Sequence, residues 1–504
     1  MTDVSTHPDY SLFRTRWQQL ADVADGSGGF LSGDYLIPHP REWKDHDAET
    51  PRIPTPKLLE RKRLARYDFL ATLIVETKLA ALFRQGPVRR CRVEGHPYLA
   101  WVRDVTGAGQ PMTEYLREAY RSALIFGHVF SVIDRAADDG PTGADRAPLR
   151  LHTFDPLSVT DWLTDETGAL SGVQLEEAVP RAEFGQSAQS TLRLVTQVRP
   201  TGARRFVSGD VLEPASLVEV DHGFGALPVV PIYAHRRAGH AVIGQSALYD
   251  PMLYIDLYNL TSEVRELLRK QTFSILNVPL GTSSEGGPST TLEQAQALLG
   301  QSAGTTSVLF STQPAAYISA DVKNVTAYMD VIAQLIRHIC RLTATPYDQD
   351  SREAESAEAR RLKRADFETV LGGYADELQR AELTLAQLWF RGTYGPERWQ
   401  AEWDRAGLEI VWPASFEMDD FSVVLAQSQA ALALPLGESR TFRREHSARL
   451  VEKLLPGLSE DQREAITAEV DAIPTAEEMR LANRQALADR LTRATNAPSA
   501  REIA

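Results

Sequence analysis

The chain has 504 residues, 43% of them hydrophobic and 24% charged, with a formal net charge of −14. That is globular usage, long enough for several domains and outside disorder-prone composition. The acidity argues against a surface that grips nucleic acid by neutralising phosphates, though not against one that lets a duplex pass without holding it.

Cys91 and Cys340 are the only cysteines and no histidine stands at zinc spacing, so both are expected as buried free thiols. The N-terminus MTDVSTHPDYSLFRTRW lacks a signal peptide's basic-then-apolar pattern. Runs such as FLATLIV (Phe69–Val75) are too short to cross a bilayer. A soluble protein made in the cytoplasm, with no membrane partner, is expected.

Residues 1–56 read as loop-rich, because GSGG, IPHPRE and TPRIPTP break any period. One helix is expected from Leu58 to Phe83, with Leu59, Leu70, Leu73, Leu79 and Leu82 apolar and Gly86-Pro87 as its stop. A second spans Pro111–Gly127, with Thr113 as N-cap and Gly127 as C-terminal signal. From Gly127 to Tyr233 the period drops to two. HVFSVID, LRLHTFD, SVTDW, GVQLEEAV, LRLVTQV, SLVEV and VVPIYAH are short β-rich runs divided by Gly, Pro and Asp. The fold class is therefore α+β, a mostly antiparallel sheet region with the earlier helices packed on it.

The chain then turns helical. Asp250–Gln271 opens on Asp250-Pro251 and carries Leu253, Leu257, Leu260, Val264 and Leu267 on one stripe. A compact insertion follows, with strands in FSILNVPLG, TSVLFST and AAYIS and a helix in TLEQAQALLG. A second long helix places Val325, Tyr328, Ile332, Leu335, Ile336, Ile339 and Cys340 on one face, with His338 flanking it. The insertion holds about fifty residues, near the lower limit for a self-sufficient domain.

Next comes TPYDQDSREAESAEARRLKRADFE (Thr345–Glu368), an acidic stretch that restarts on a basic turn. It reads either as a solvated inter-helix loop or as a binding loop. A third long helix then covers roughly Ala357–Arg391, with Phe367, Val370, Leu371, Tyr374, Leu378, Ala381, Leu385 and Leu388 apolar. Gly372-Gly373 predicts a kink there, since each glycine costs about 1 kcal/mol relative to alanine. GLEIVWPASF reads as a strand, and the remainder is helical, including SRTFRREHSARLVEKLL and SEDQREAITAEVDA.

Catalytic signatures do not emerge. There is no phosphate-cradling loop, dinucleotide fingerprint or HExxH, and GQSAL at Gly244 lacks the closing glycine of a nucleophile elbow. Asp348, Asp350, Glu353 and Glu355 lack the spacing and glycine of a calcium loop. No cofactor, no metal and no enzymatic activity are expected.

The order of elements resembles the portal proteins of tailed double-stranded DNA bacteriophages, over Tyr35 to about Val470. DPLSVTDW (Asp155–Trp162), GQSALYDPMLYIDLYNLTSEVRELLRKQ and RLTATPYDQDSREAESAEARRLKRADFETVLGGYADELQRAE carry the likeness, by their order and spacing. The resemblance implies a wing at 1–245, a first stem helix at 250–271, a clip at 272–322 and a second stem helix at 323–343. A tunnel loop at 344–356, a long kinked helix with a return strand at 357–420 and a helical crown with a tail at 421–504 complete it.

By the same resemblance the chain forms a ring of about twelve subunits, or thirteen in isolation, at one capsid vertex of the virion. Double-stranded DNA is packaged and ejected through it. The terminase large subunit, a head-tail adaptor, the major capsid protein and scaffolding protein are the implied partners. Tyr347, Asp348, Asp350, Arg352, Glu353 and Glu355 would face the channel, where Arg352 either touches a phosphate or, the favoured reading, pairs locally with Asp348 or Glu355. In the clip, Phe273, Ile275, Val278, Val308 and Phe310 read by themselves as strand core; by the resemblance they would serve motor, adaptor and inter-subunit contacts, with some strand edges paired between subunits. Arg360, Arg361, Lys363 and Arg364 oppose the helix dipole, a cost the acidic loop could offset.

Two alternatives stay open. One is another phage structural or adaptor protein, such as a minor head protein, without a DNA channel. The other is an enzyme using His152, Asp155 and Asp161, which lacks an evident nucleophile.

Overall fold

The computed structural model describes residues 5–39, 42, 54–135, 148–180, 191–208, 218–272, 275–279, 308–311, 316–318, 322–347, 357–413, 416, 428–431, 439–454, 460–472 and 482–490. The chain divides into two compact units, Met1–Phe416 and Glu417–Ala504.

The first unit opens on helix α1 (Pro8–Asp25), which corrects the loop-rich expectation for residues 1–56. His7 caps it, its Nδ1 accepting from the Asp9 amide at 3.2 Å, and Pro8 sits at the first helical position. Tyr10, Phe13, Trp17, Leu20 and Ala24 are buried at helical spacing. The glycine run does not break this helix but ends it, with Gly26 left-handed at φ 64. The short α2 (Gly29–Ser32) follows.

The single helix expected from Leu58 to Phe83 is two, α3 (Pro56–Leu64) and α4 (Leu70–Leu82). Tertiary contacts outweigh helix continuity between them. The Tyr67 hydroxyl donates to the Val23 carbonyl at 2.7 Å and its ring packs 4.1 Å from Phe30, while Arg66 Nη1 donates to the Ala65 carbonyl. The break also changes the buried face: Leu58, Leu70, Leu79 and Leu82 are inside, whereas Leu59 and Leu73 are exposed.

Strand β1 (Val88–Arg90) and helix α5 (Pro97–Trp101) lead to α6 (Met112–Phe126). Thr113 is not the N-cap. Pro111 holds that position without a side-chain cap, and Thr113 Oγ1 accepts from Arg89 Nη1 at 2.8 Å. Gly127 ends α6 at φ 99, and a Cβ there would lie 2.6 Å from the Gly244 backbone, so the close crossing requires glycine.

Strands β2 (His128–Arg135) and β3 (Leu149–Phe154) pair antiparallel. An antiparallel meander follows, of β4 (Val159–Thr164), β5 (Leu170–Pro180), β6 (Thr191–Arg199), β7 (Gly202–Ser208) and β8 (Val218–Val220). Strand β7 was not expected, because Arg204-Arg205 hides the alternation. Its Phe206 is buried opposite Val195. Strand β9 (Val229–Tyr233) returns to the free side of β2, giving the order β3-β2-β9. A two-residue ladder of β10 (His235–Arg236) and β11 (Gly244–Gln245) follows.

Helix α7 (Pro251–Thr272), strands β12 (Ile275–Pro279), β13 (Val308–Ser311) and β14 (Ala316–Ile318), and helix α8 (Val322–Leu342) come next. The helix expected in TLEQAQALLG lies outside the described residues. Helix α9 (Ala357–Tyr394) is 38 residues long and runs uninterrupted through Gly372 and Gly373. A side chain at either glycine would meet nothing within 4 Å, so nothing described in this chain requires glycine there. Helix α10 (Trp399–Ala406) and strand β15 (Glu409–Val411) complete the unit, β15 pairing antiparallel with β1.

The fold is α+β. Helices α1, α4, α6, α7 and α9 surround the β3-β2-β9 sheet with one apolar core, from Trp17 and Ile74 through Phe130 and Ile232 to Leu378 and Leu385. Cys340 is buried and Cys91 half-buried, both free. His338 is exposed on α8.

In the second unit, α11 (Arg440–Leu454) packs with α12 (Glu460–Ala472), and residues 482–490 are also helical. Ser428 Oγ and His446 Nε2 are 2.8 Å apart, and the Phe442 ring stacks on His446.

Candidate functional site at the base of the paired helices

Helix α7 starts where its sequence predicts. Asp250 Oδ1 accepts from the Met252 amide at 3.1 Å, and Pro251 fixes the first turn. Tyr254, Leu257, Tyr258 and Val264 are buried. Asn259 binds the N-terminal segment on both sides, accepting from the Ile37 amide at 2.7 Å and donating to the Tyr35 carbonyl at 2.9 Å. The Tyr258 hydroxyl donates to the Phe30 carbonyl. Beside it Arg61 and Glu42 form a buried 2.8 Å ion pair, and Arg61 Nε also donates to Ser262 Oγ.

Helix α8 packs on α7 along Ile332, Ile339 and Cys340. Tyr254 lies beside Cys340, and Glu263 bonds the Tyr328 hydroxyl, so the helices run antiparallel. Glu263 raises the pKa of that phenol, with burial second. The chain thus leaves the body along α7 and returns to it along α8.

The return ends in a tight cap. The Thr345 amide donates to the Cys340 carbonyl at 2.8 Å and the Ala344 amide to the Arg341 carbonyl at 3.2 Å. This is the bonding of a Schellman cap, with Ala344 at the left-handed position, φ 49. Thr343 Oγ1 donates back to the Ile339 carbonyl at 2.9 Å.

The carbonyl of Thr343 points at α4, where Lys78 Nζ donates to it at 2.5 Å. Lys78 is 1% exposed. Its ammonium also lies 5.8 Å from the Phe367 ring centroid and 5.5 Å from that of Tyr374, both on α9. Burial pulls its pKa down to about 8. His235, 4.9 Å from the Tyr374 ring, has its pKa lowered by burial first and by the Lys78 charge second. One side chain therefore joins the end of α8 to α9, the two helices that bracket residues 348–356. Sequence reasoning missed Lys78. Its signal was a lone charge on the i, i+4 line of Leu70, Ile74 and Leu82 in an apolar helix.

Of the expected loop residues, Tyr347 is half-buried against the core margin. Asp348, Asp350, Arg352, Glu353 and Glu355 lie outside the described residues, as does Phe273. Arg360, Arg361, Lys363 and Arg364 fall in the first turns of α9. In the small sheet, ordered β13-β12-β14, β12 runs parallel to β13 and antiparallel to β14. Val278 stands opposite Phe310, Leu276 opposite Val308 and Ile275 opposite Ile318. Strands β13 and β14 are its edges.

His152, Asp155 and Asp161 do not converge on a shared centre. His152 is exposed on β3. Asp155 Oδ1 accepts from the Ser158 amide and hydroxyl, both at 2.9 Å, and so shapes a turn. Asp161 accepts from Ser5 Oγ and the Trp162 amide. Among the described residues, no group of three or more His, Cys, Asp or Glu is placed to hold a metal ion, and no helix is long and apolar enough to cross a membrane.

No family model matches the chain, and no curated protein does. Among solved structures it is similar to a chain from the neck of an empty gene transfer agent particle computed with C6 symmetry. Identity there is 14%, over 81% of this chain and 91% of that one, with a TM-score of 0.37. A chain from the native gene transfer agent virion matches at 12% identity over 81% and 90%, TM-score 0.35. A chain from the native neck computed with C12 symmetry matches at 16% over the same shares, TM-score 0.36. Likeness at this level does not establish a shared role.

Proposed function

We propose that this chain is the subunit of a phage portal, a closed ring at one capsid vertex through which double-stranded DNA enters and leaves. The observation that carries the reading is the antiparallel pair α7 and α8. It brackets a three-stranded sheet and is followed by a 38-residue helix that returns into an α+β core. That order gives a body, a two-helix stem and a peripheral module, the parts a ring-shaped conduit needs.

In this reading the body up to residue 245 is the wing, α7 and α8 are the stem, and the β13-β12-β14 sheet belongs to the clip. Residues 344–356 are the tunnel loop, α9 with β15 returns to the wing, and residues 421–504 are the crown and tail. The channel acts by charge and shape. A ring of subunits at −14 each repels phosphates, so the duplex stays centred and mobile. Contacts with it are electrostatic and steric, without base readout. The chain itself performs no covalent chemistry; a terminase motor docks at the clip and is later replaced by a head-tail adaptor. The protein resides at the portal vertex of the virion, with capsid and scaffolding proteins around it.

Native mass spectrometry and imaging of the purified protein test this. The expected result is a closed ring of about twelve or thirteen copies with a central hole. A monomer across micromolar concentrations in several salts would overturn it.

A further inference from the structure

We propose that Lys78 is a positioning residue: its ammonium clamps the C-terminal end of α8 to the Phe367–Tyr374 stretch of α9, and so holds the point from which the chain leaves α8. This rests on the portal reading only for its functional consequence, since the clamp itself is visible in the fold.

Three observations carry it. Lys78 Nζ reaches the carbonyl of Thr343 at 2.5 Å, the residue immediately before the left-handed Ala344. The same ammonium lies over Phe367 and Tyr374, which stand two turns apart on one face of α9. Lys78 is also buried, and among the described residues burial alone shifts its pKa, with no carboxylate contributing. A side chain present only to fill that space would be apolar, because burying an ammonium costs free energy that packing alone does not return.

The chemistry suits a clamp. A helix C-terminus presents carbonyl groups with partial negative charge, which an ammonium satisfies. Aromatic faces attract the same cation, more strongly when water is excluded. The titratable groups around it are His235 from β10, Tyr374 from α9 and Tyr120 from α6, the last 5.7 Å from the Tyr374 ring. Glu377, one turn beyond Tyr374, acts on His235. Burial pushes both phenols well up, so neither supplies a counter-charge near neutrality. His235 is held down and stays neutral. The ammonium is thus the charge that changes first as pH rises, at about 8.

Hydrogen exchange on the full chain tests the clamp, read on peptides covering 341–347 and corrected for intrinsic rates. Strands β5 and β6 in the same sample report whether the fold is intact. Near neutral pH, Lys78→Met should lower protection of this segment roughly tenfold, the size of a lost charge-assisted hydrogen bond. Lys78→Arg should retain it. At about pH 9.5 the wild type should approach the methionine variant, while the arginine variant should not, because a guanidinium stays charged. The wild type supplies its own titration even if a variant folds poorly. Protection that is equal in wild type and Lys78→Met, or that does not change with pH in the wild type, would overturn the proposal. DNA packaging by particles carrying Lys78→Met separates the two readings. Lost protection with reduced packaging supports both. Lost protection with normal packaging upholds the clamp and counts against residues 348–356 facing DNA.

Discussion

Trp412 donates its indole N–H to Oε2 of Glu382 at 2.9 Å, deep in the body, where Glu382 is fully buried. The other carboxylate oxygen accepts from Arg89 Nε, and Gln379 Oε1 accepts the Trp412 amide at 3.1 Å. These bonds join β1, the end of β15 and α9, three elements far apart in sequence. Glu382→Gln would leave Arg89 as an uncompensated buried charge, a loss of about 3–5 kcal/mol. Arg89→Met combined with Glu382→Leu should recover only part of that, because the buried Trp412 indole N–H then loses its acceptor. Denaturant unfolding of the purified protein gives both values, and equal stability of wild type and Glu382→Gln would contradict this account of the network.

His128 sets an acid limit. It is buried between Trp17 and Phe130, and the Gly244 amide donates to its Nδ1 at 3.3 Å, which fixes that nitrogen as an acceptor. Burial lowers its pKa to about 3, against an ordinary value near 6.5. Between those values the unfolded chain binds a proton that the folded chain does not. The stability this group provides is therefore complete above about pH 6.5 and lost as pH falls toward 3, at most about 1.4 kcal/mol per pH unit. Denaturant midpoints at stepped pH should show this slope in the wild type. His128→Gln, which keeps an acceptor but does not titrate, should show less of it.

Ala344 closes α8 with φ 49, a conformation that costs an L-residue roughly 1–2 kcal/mol. Ala344→Gly should therefore raise unfolding stability, by somewhat less than that because glycine is freer in the unfolded chain. Ala344→Val, β-branched at the same φ, should lower it. Thermal melts of the three proteins side by side check the order.

Much of this architecture is legible in the sequence where one force dominates. Short β-rich runs divided by Gly, Pro and Asp marked β2 to β6, including β2, which as the central strand is buried at six consecutive positions and shows no alternation of burial. The Asp250-Pro251 start found α7 because capping is local chemistry. The errors arose where tertiary contacts decide. Helix continuity between Leu58 and Phe83 yields to Tyr67 packing on Phe30. Thr113 serves Arg89 instead of the helix cap. Helix α1 was hidden by the glycines that follow it, although Tyr10, Phe13, Trp17 and Leu20 already had its spacing. Lys78 gained its meaning only where the fold brings α4, α8 and α9 together around it.

Under the proposed portal function, the acidic segment between α8 and α9 would face DNA in a channel. Replacing Asp348, Asp350, Glu353 and Glu355 with lysine would then turn a phosphate-repelling stretch into one that holds phosphate. The deciding measurement is DNA packaged per head against ionic strength, for wild type and for the variant Asp348→Lys, Asp350→Lys, Glu353→Lys, Glu355→Lys. Particles should still assemble while packaging slows or stalls, most severely at low salt, where charges are least screened. Equal packaging by both proteins at every salt concentration would contradict it.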